Sequence, residues 1–386
     1  MPVLPDAVHR IASTATNKKG VPADGISLIA RARHQLSKLR IGIIGCGQLA
    51  RTAHIPLLDR NANVEIVGLC DASASTIASC AALAPNAERY TSVDELLDSH
   101  SVEAVVISLP SHLHTDAAIA AFRRGAHVYL EKPVASRMDD ARRIVEAWRD
   151  SNRVGMIGQN FRFNPLAKKM KDTVASGAIG QVRSISTRYS TPRPPEESWR
   201  RSRETGGGAL LDLAVHHIDF ARFALNSEIA SVSARIESRQ SDHDYGALSL
   251  NFENGATATV DVAFGDSFQD RIEVRGDGGT LWIDRTHSVD VGRAAATGRI
   301  GFVSIIRAHM PTLGRIRYWA LRRQSPFHEP SYAIALSAFV QAAATGAHPS
   351  PDLNDGLAAL AAVEAAEQSS SSGQPVLIAQ AGTSLA

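Results

Sequence analysis

The chain has 386 residues, too many for one ordinary core and enough for two. Its 41 basic residues nearly balance 39 acidic ones, and a net charge of +2 excludes a global attraction to nucleic acid. Three cysteines, Cys46, Cys70 and Cys80, with no CxxC pair exclude a disulfide framework and give no metal-ligand spacing; reduced, buried thiols in a cytoplasmic protein are expected.

No apolar run reaches the length of about 18 residues that a membrane span needs, and the first forty residues hold no signal-peptide h-region. Residues 1–25 mix Pro, Ser, Thr, Asn, Lys and Gly and read as an extension. Residues 26–39 read as a short basic helix with Ile26, Leu28, Ile29, Leu36 and Leu39 as its apolar positions. Packing on the body or on a partner subunit is the main expectation for that helix, and weak contact with a membrane surface the lesser one.

The first strong pattern is Leu39 to Ala50. A short apolar run breaks at Gly45, and helical spacing resumes through Leu49, Ala50, Ile55 and Leu58. Strand, glycine turn and helix come one after another. Gly45 suits the tight turn, Gly47 leaves room for a diphosphate, Ala50 allows close packing, and the helix start at Gln48 and Leu49 offers free N–H groups to phosphate. A second run from Val64 ends on Asp71, 24 residues past Gly47, where a carboxylate can accept both ribose hydroxyls of an adenosine. Ala72, Ser73, Ala74 and Ser75 come next, so nothing there would neutralise a 2′-phosphate, and NAD is favoured over NADP.

The alternation continues with helices over 73–83, 93–98, 115–124 and 137–150 and strands over 89–91, 104–108, 127–130 and 154–158. Repeated β-α-β units imply a doubly wound parallel sheet, with ligand chemistry at the carboxyl ends of its strands. Ser108, Pro110, His112 and His114 lie just after one such end; Glu131, Lys132 and Pro133 lie just after the next. A lysine directly before a proline at the mouth of a nucleotide-binding sheet has few structural reasons to be there.

After a helix over 165–176, β-branched alternation takes over at 182–189, 229–238 and 245–252, which turns at Asn254-Gly255 into 256–264. A further turn at Asp277-Gly278-Gly279 leads into 280–284. These hairpins imply an antiparallel sheet and a second domain of α+β type. Between its strands, three glycines open a helix in which Asp212, His216 and Asp219 fall at i, i+4 and i+7, a polar stripe among Leu210, Leu211, Leu213, Val215 and Ile218. Two potential metal ligands without a third do not make a metal site.

The chain resembles the Gfo/Idh/MocA oxidoreductases, a group of inositol, glucose and other sugar dehydrogenases. The resemblance covers roughly residues 39–380 and rests on Gly45-Cys46-Gly47-Gln48-Leu49-Ala50, Glu131-Lys132-Pro133, Arg162-Phe163-Asn164-Pro165, Trp199-Arg200, residues 206–219 and a closing helix near 363–373. It implies a Rossmann domain followed by a domain with a large open, mostly antiparallel sheet whose exposed face forms a homodimer or homotetramer. The corresponding division is 1–38, extension; 39–160, NAD-binding; 161–386, substrate and oligomerisation. It also implies Lys132, Asp212 and His216 as the catalytic group, often with a cis bond before Pro133, and Trp199 and Arg200 against the cofactor. Ala214 stands where the family usually has Gly.

Oxidising a secondary alcohol needs a base for the hydroxyl proton, a cation for the developing alkoxide and a hydride acceptor, which His216, Lys132 and NAD would supply. The expected activity is hydride transfer between a sugar or polyol and nicotinamide. A hydrolase that retains its NAD and a sensor without chemistry are the alternatives. Between Asp290 and Glu329 stand Arg293, Arg299, Arg307, Arg315, Arg317, Arg322 and Arg323 and no acidic residue, which suggests an anionic substrate or an acidic membrane surface.

Overall fold

The computed structural model describes residues 38–99, 101–265, 267–296 and 312–378. The extension and most of the basic helix expected before residue 38, together with Arg299 and Arg307, lie outside these residues.

Six strands form the first sheet: β1 (Leu39–Ile44), β2 (Val64–Cys70), β3 (Glu88–Tyr90), β4 (Ala104–Ile107), β5 (His127–Leu130) and β6 (Gly155–Ile157). All pair in parallel, in the order 3-2-1-4-5-6. Helices cover both faces, so the central strands are buried throughout: β4 reads Ala-Val-Val-Ile with every residue inside. The strand order reverses between β1 and β4, and a crevice opens there above their carboxyl ends. Helix Ser331–Thr345 returns from late in the chain and sends Ala335, Leu336, Phe339 and Val340 into the same core as Ile41, Ile43 and Tyr129. The part of the chain after residue 161 is therefore not confined to the second sheet.

That second sheet has eight strands: β7 (Val182–Pro192), β8 (Ile229–Glu237), β9 (Tyr245–Phe252), β10 (Thr257–Gly265), β11 (Gln269–Gly276), β12 (Gly279–Asp284), β13 (Gly292–Ala295) and β14 (Val376–Leu377), in the order 13-12-11-7-10-9-8-14. It is antiparallel except where β7 runs parallel to β10. The exception comes from connectivity. A long excursion containing helix Val215–Leu225 separates β7 from β8, so no tight turn fixes the direction of its neighbour. Period-two alternation sends Leu248, Leu250, Val260, Val262, Ile272 and Val274 to the covered face, leaving Ser186, Arg188, Ser249, Thr259, Arg271 and Arg275 on the other.

The closing helix is longer than the sequence suggested, running Leu353–Ser372 from an Asp352/Asp355 capping box to Gly373 in the left-handed region. Its small residues let it pack closely against β6, β8 and helix Met138–Ser151. One helix thus ties the two sheets together and fixes the cleft between them.

Candidate active site

The cleft above β1 and β4 encloses a cavity of about 690 Å³. Gly45 begins its floor with φ of +91°, and a Cβ there would stand 2.5 Å from the Ser108 carbonyl oxygen, so both conformation and space require glycine. Gly47 is different: nothing lies within 4 Å of where its Cβ would be. Gln48 and Leu49 start the next helix and also line the cavity. Asp71, at the end of β2, accepts hydrogen bonds from the Cys46 and Ser73 backbone N–H groups, each at 2.9 Å, which aims its carboxylate along the glycine turn. Open space over Gly47, free N–H groups and a fixed carboxylate make a cradle that fits a dinucleotide.

Ser108 and Pro110 from the end of β4, and Glu131 and Lys132 from the end of β5, form the opposite wall. The Lys132–Pro133 peptide bond is cis. Glu131 Oε1 lies 3.0 Å from buried His54 Nε2. His114 does not join this wall. It is buried with Nδ1 2.9 Å from the Pro133 carbonyl oxygen and Nε2 2.9 Å from that of Leu109, so it ties together the loops leaving β4 and β5. Burial lowers its pKa, against the pull of the two carbonyls and Glu131, and the neutral ring donates to one carbonyl at a time.

Residues 206–219 bring the remaining groups. Its Leu210–Ala214 segment is a π-turn, and the α-helix Val215–Leu225 continues from it. The wider turn shifts Asp212 against the helix that follows, whereas His216 and Asp219 keep ordinary α-helical spacing within that helix, and the expected stripe divides between those two. Asp212 and His216 line the cavity, whereas Asp219 turns away into a buried ion pair with Arg162, Oδ2 to Nε at 2.8 Å. Arg162 also reaches Asp355 of the closing helix, and Asn164 caps helix Pro165–Ala175 while donating to Glu329. Arg162 and Asn164 thus support the site without lining it.

Lys132 Nζ donates to the Asp212 carbonyl oxygen at 2.7 Å and to Oδ1 at 2.9 Å, and Arg200 Nε donates to Oδ2 at 2.8 Å. Burial would raise the Asp212 carboxyl, but Lys132 and Arg200 outweigh it and hold its pKa at about 2. An ammonium has three donors, so one remains on Lys132 for a ligand. Trp199 lines the cavity beside Arg200. His216 stacks on Phe161, with centroids 4.4 Å apart and planes 12° from parallel, and its Nδ1 is buried without a partner. Burial, then the cationic Lys132 and Arg285, push the His216 pKa well below its ordinary value, so the ring is neutral and able to accept a proton.

Sequence reasoning missed Asp270, Arg285 and Glu329. Buried Arg285 bonds Asp270 Oδ2 at 2.8 Å, pairs with Glu329, and places its guanidinium carbon 3.2 Å from the Phe161 centroid. The signal for the first pair was in the Asp277-Gly278-Gly279 turn. The register that sets Arg275 opposite Thr280 and Arg271 opposite Asp284 also sets Asp270 opposite Arg285. Among the described residues, no group of three or more His, Cys, Asp and Glu is placed to hold a metal ion.

A doubly wound sheet with a glycine turn, a fixed carboxylate and an adjoining cleft defines a nucleotide-binding oxidoreductase fold. Residues 39–159 match the oxidoreductase family described as having an NAD-binding Rossmann fold, and residues 167–282 match the GFO/IDH/MocA C-terminal domain. A 1,5-anhydro-D-fructose reductase from Ensifer adhaerens is 30% identical over 87% of this chain and 97% of its own length. An inositol 2-dehydrogenase from Rhizobium meliloti is 27% identical over 88% and 99%. The chain belongs to the Gfo/Idh/MocA family of NAD-binding oxidoreductases. The same fold occurs in the WlbA dehydrogenase from Bordetella pertussis, crystallised with NADH and UDP-GlcNAcA, at a TM-score of 0.77 and 22% identity over 89% of this chain and 99% of that one. It also occurs in a levoglucosan dehydrogenase crystallised with NADH and levoglucosan, at 0.76 and 23% over 89% and 100%.

Proposed function

We propose that this oxidoreductase transfers a hydride between a secondary hydroxyl of a sugar or polyol derivative and NAD, with Lys132, Asp212 and His216 as its catalytic group. The observation that carries the reading is the convergence of a neutral, buried His216 and a Lys132 with one unused donor on a single cavity. Bound NAD supplies the hydride acceptor at C4 of its nicotinamide. His216 takes the hydroxyl proton, Lys132 stabilises the negative charge developing on that oxygen, and Asp212 holds Lys132 in place. Gly45, Gly47, Gln48, Leu49, Asp71, Ser108, Pro110 and Glu131 hold the cofactor, with Trp199 and Arg200 closing over it. The acid at position 71 favours NAD over NADP. His114 is a positioning residue rather than a cofactor ligand.

We assign residues 39–160 to cofactor binding and 161–386 to substrate binding and assembly, in a cytoplasmic homodimer or homotetramer. The uncovered face of the second sheet supports that assembly. It bears a broad hollow of about 880 Å³, larger than the catalytic cavity, whose charges already pair with one another, as in Arg188 with Asp261 and Arg271 with Asp284. On the late wall of the cleft, Arg322, whose guanidinium bonds backbone carbonyls rather than a carboxylate, supports sugar acids and sugar phosphates among the substrates.

The test is NADH formation, followed by absorbance, with polyols, aldoses, uronates and sugar phosphates. Formation with one of these names the substrate class. No signal, together with NAD released from the denatured protein, would replace the reading with a hydrolase that retains its cofactor or a sensor.

A further inference from the structure

Ten large apolar side chains are exposed among the described residues, and five of them fall between Leu313 and Phe327. Four lie on one helix, Leu313–Gln324: Leu313 is 64% exposed, Ile316 53%, Trp319 51% and Leu321 41%. The inner side of this helix is accounted for. Tyr318 is buried, Arg315 reaches Asp290 at 3.4 Å, and Arg322 donates to the backbone carbonyls of Thr286 and His328. At 100° per residue, Leu313 and Ile316 therefore point outward with half-buried Ala320 between them and exposed Gln324 beside Leu313, flanked by Trp319 and Arg323 on one side and by Arg317 and Leu321 on the other.

The charge on that outward side is of one sign. Arg317 and Arg323 have no carboxylate partner among the described residues, and the guanidinium carbon of Arg323 lies 4.8 Å from the Trp319 ring centroid. No acidic residue stands anywhere between Asp290 and Glu329. An outward apolar strip bordered by arginines and an aromatic ring is unfavourable in water. It matches an interface that is apolar beneath and anionic at its surface. A symmetric contact of this helix with its copy would set arginine against arginine, which disfavours a subunit interface here.

We infer that the outer face of helix Leu313–Gln324 docks on anionic phospholipid, with Leu313, Ile316 and Trp319 entering the headgroup layer and Arg317 and Arg323 meeting the lipid phosphates. The surface is peripheral: no helix among the described residues is long and apolar enough to cross a membrane. The same helix contributes Arg322 to the wall of the catalytic cleft, so docking brings the cleft near the lipid surface.

The experiment is co-sedimentation of the full chain with vesicles of phosphatidylcholine alone and of phosphatidylcholine mixed with phosphatidylglycerol, at low and high salt. Retention is expected on the mixed vesicles only, and is expected to fall as salt screens the arginines. Ile316→Glu with Trp319→Glu removes it while NAD binding stays unchanged. Arg317→Ala and Arg323→Ala, which leave the apolar strip intact, each weaken it about fivefold. The inference is overturned by a wild type that stays in the supernatant with both vesicles, or by retention that none of these substitutions alters. Conversion of an oligomer to monomers by the double variant would equally overturn it, because the face would then be a subunit contact.

Discussion

The two sides of the cleft are built from different materials. On the side proposed for the cofactor, the wall is mainly backbone: a glycine turn, a helix start and one carboxylate held by two N–H groups, all within 45–71. On the side proposed for the substrate it is made of long side chains whose charges are neutralised in place, Lys132 and Arg200 on Asp212, Arg285 between Asp270 and Glu329. Backbone groups are placed by local conformation and tolerate change in the side chains around them. Paired charges hold only while every partner is present, because a buried charge left alone costs several kcal/mol.

Substitution of the reacting groups should separate the two sides most sharply. Lys132→Met and His216→Ala should each lower turnover by about 10²–10⁴-fold, with NAD affinity, measured by calorimetry, much less affected. Turnover close to wild type in both variants would remove the catalytic assignment. Next in size, Arg285→Met leaves Asp270 and Glu329 uncompensated and should cost about 3–5 kcal/mol in denaturant unfolding. An unchanged midpoint would mean that the clamp is not structural.

The two glycines of the turn sharpen the comparison within one motif. Gly45→Ala should destabilise the fold by about 1–3 kcal/mol, from its positive φ and the clash with Ser108. Gly47→Ala meets open space, so it should leave the melting temperature unchanged and weaken NAD binding. Asp71→Ala should lower NAD affinity by about tenfold, for lost hydrogen bonds to a charged group, and narrow the preference over NADP.

The buried charges of the cleft should also show in acid stability. Both Asp212 and His216 have pKa values depressed by folding, so each contributes stability above its unfolded value that is lost as pH falls. For His216 the loss begins below about pH 6.5. For Asp212 it runs from 3.8 down to about 2 and amounts to roughly 2 kcal/mol. Unfolding of the cofactor-free protein across this range should show the upper step vanish in His216→Asn. A profile identical to wild type would mean that His216 titrates alike in the folded and unfolded chain.

The Rossmann half was legible because each strand of a parallel sheet covered on both faces is a continuous apolar run, and the glycine turn and Asp71 are fixed by spacing along the chain. The helix that carries Asp212 and His216 was read in part. Its glycines and polar residues marked it, but the spacing that set Asp219 near His216 on the same α-helix said nothing of Arg162, a distant residue whose guanidinium takes the Asp219 carboxylate out of the cleft. For His114, expected among the cofactor-binding residues, the structure shows a buried side chain that does not line the cavity. Its position after a strand end suggested a ligand, whereas in space it is buried between two carbonyls, facing one with each ring nitrogen and donating to one at a time.

By itself the sequence determined the two sheet types, the cofactor turn, the carboxylate at position 71 and the identity of the lysine and histidine that meet in the cleft, since all of these depend on residue type and short-range spacing. Only the tertiary structure decided which charges neutralise one another, how the closing helix joins the two sheets, and which face of helix Leu313–Gln324 remains outside. Such pairings depend on distances between segments far apart in the chain, and local conformation does not encode those distances.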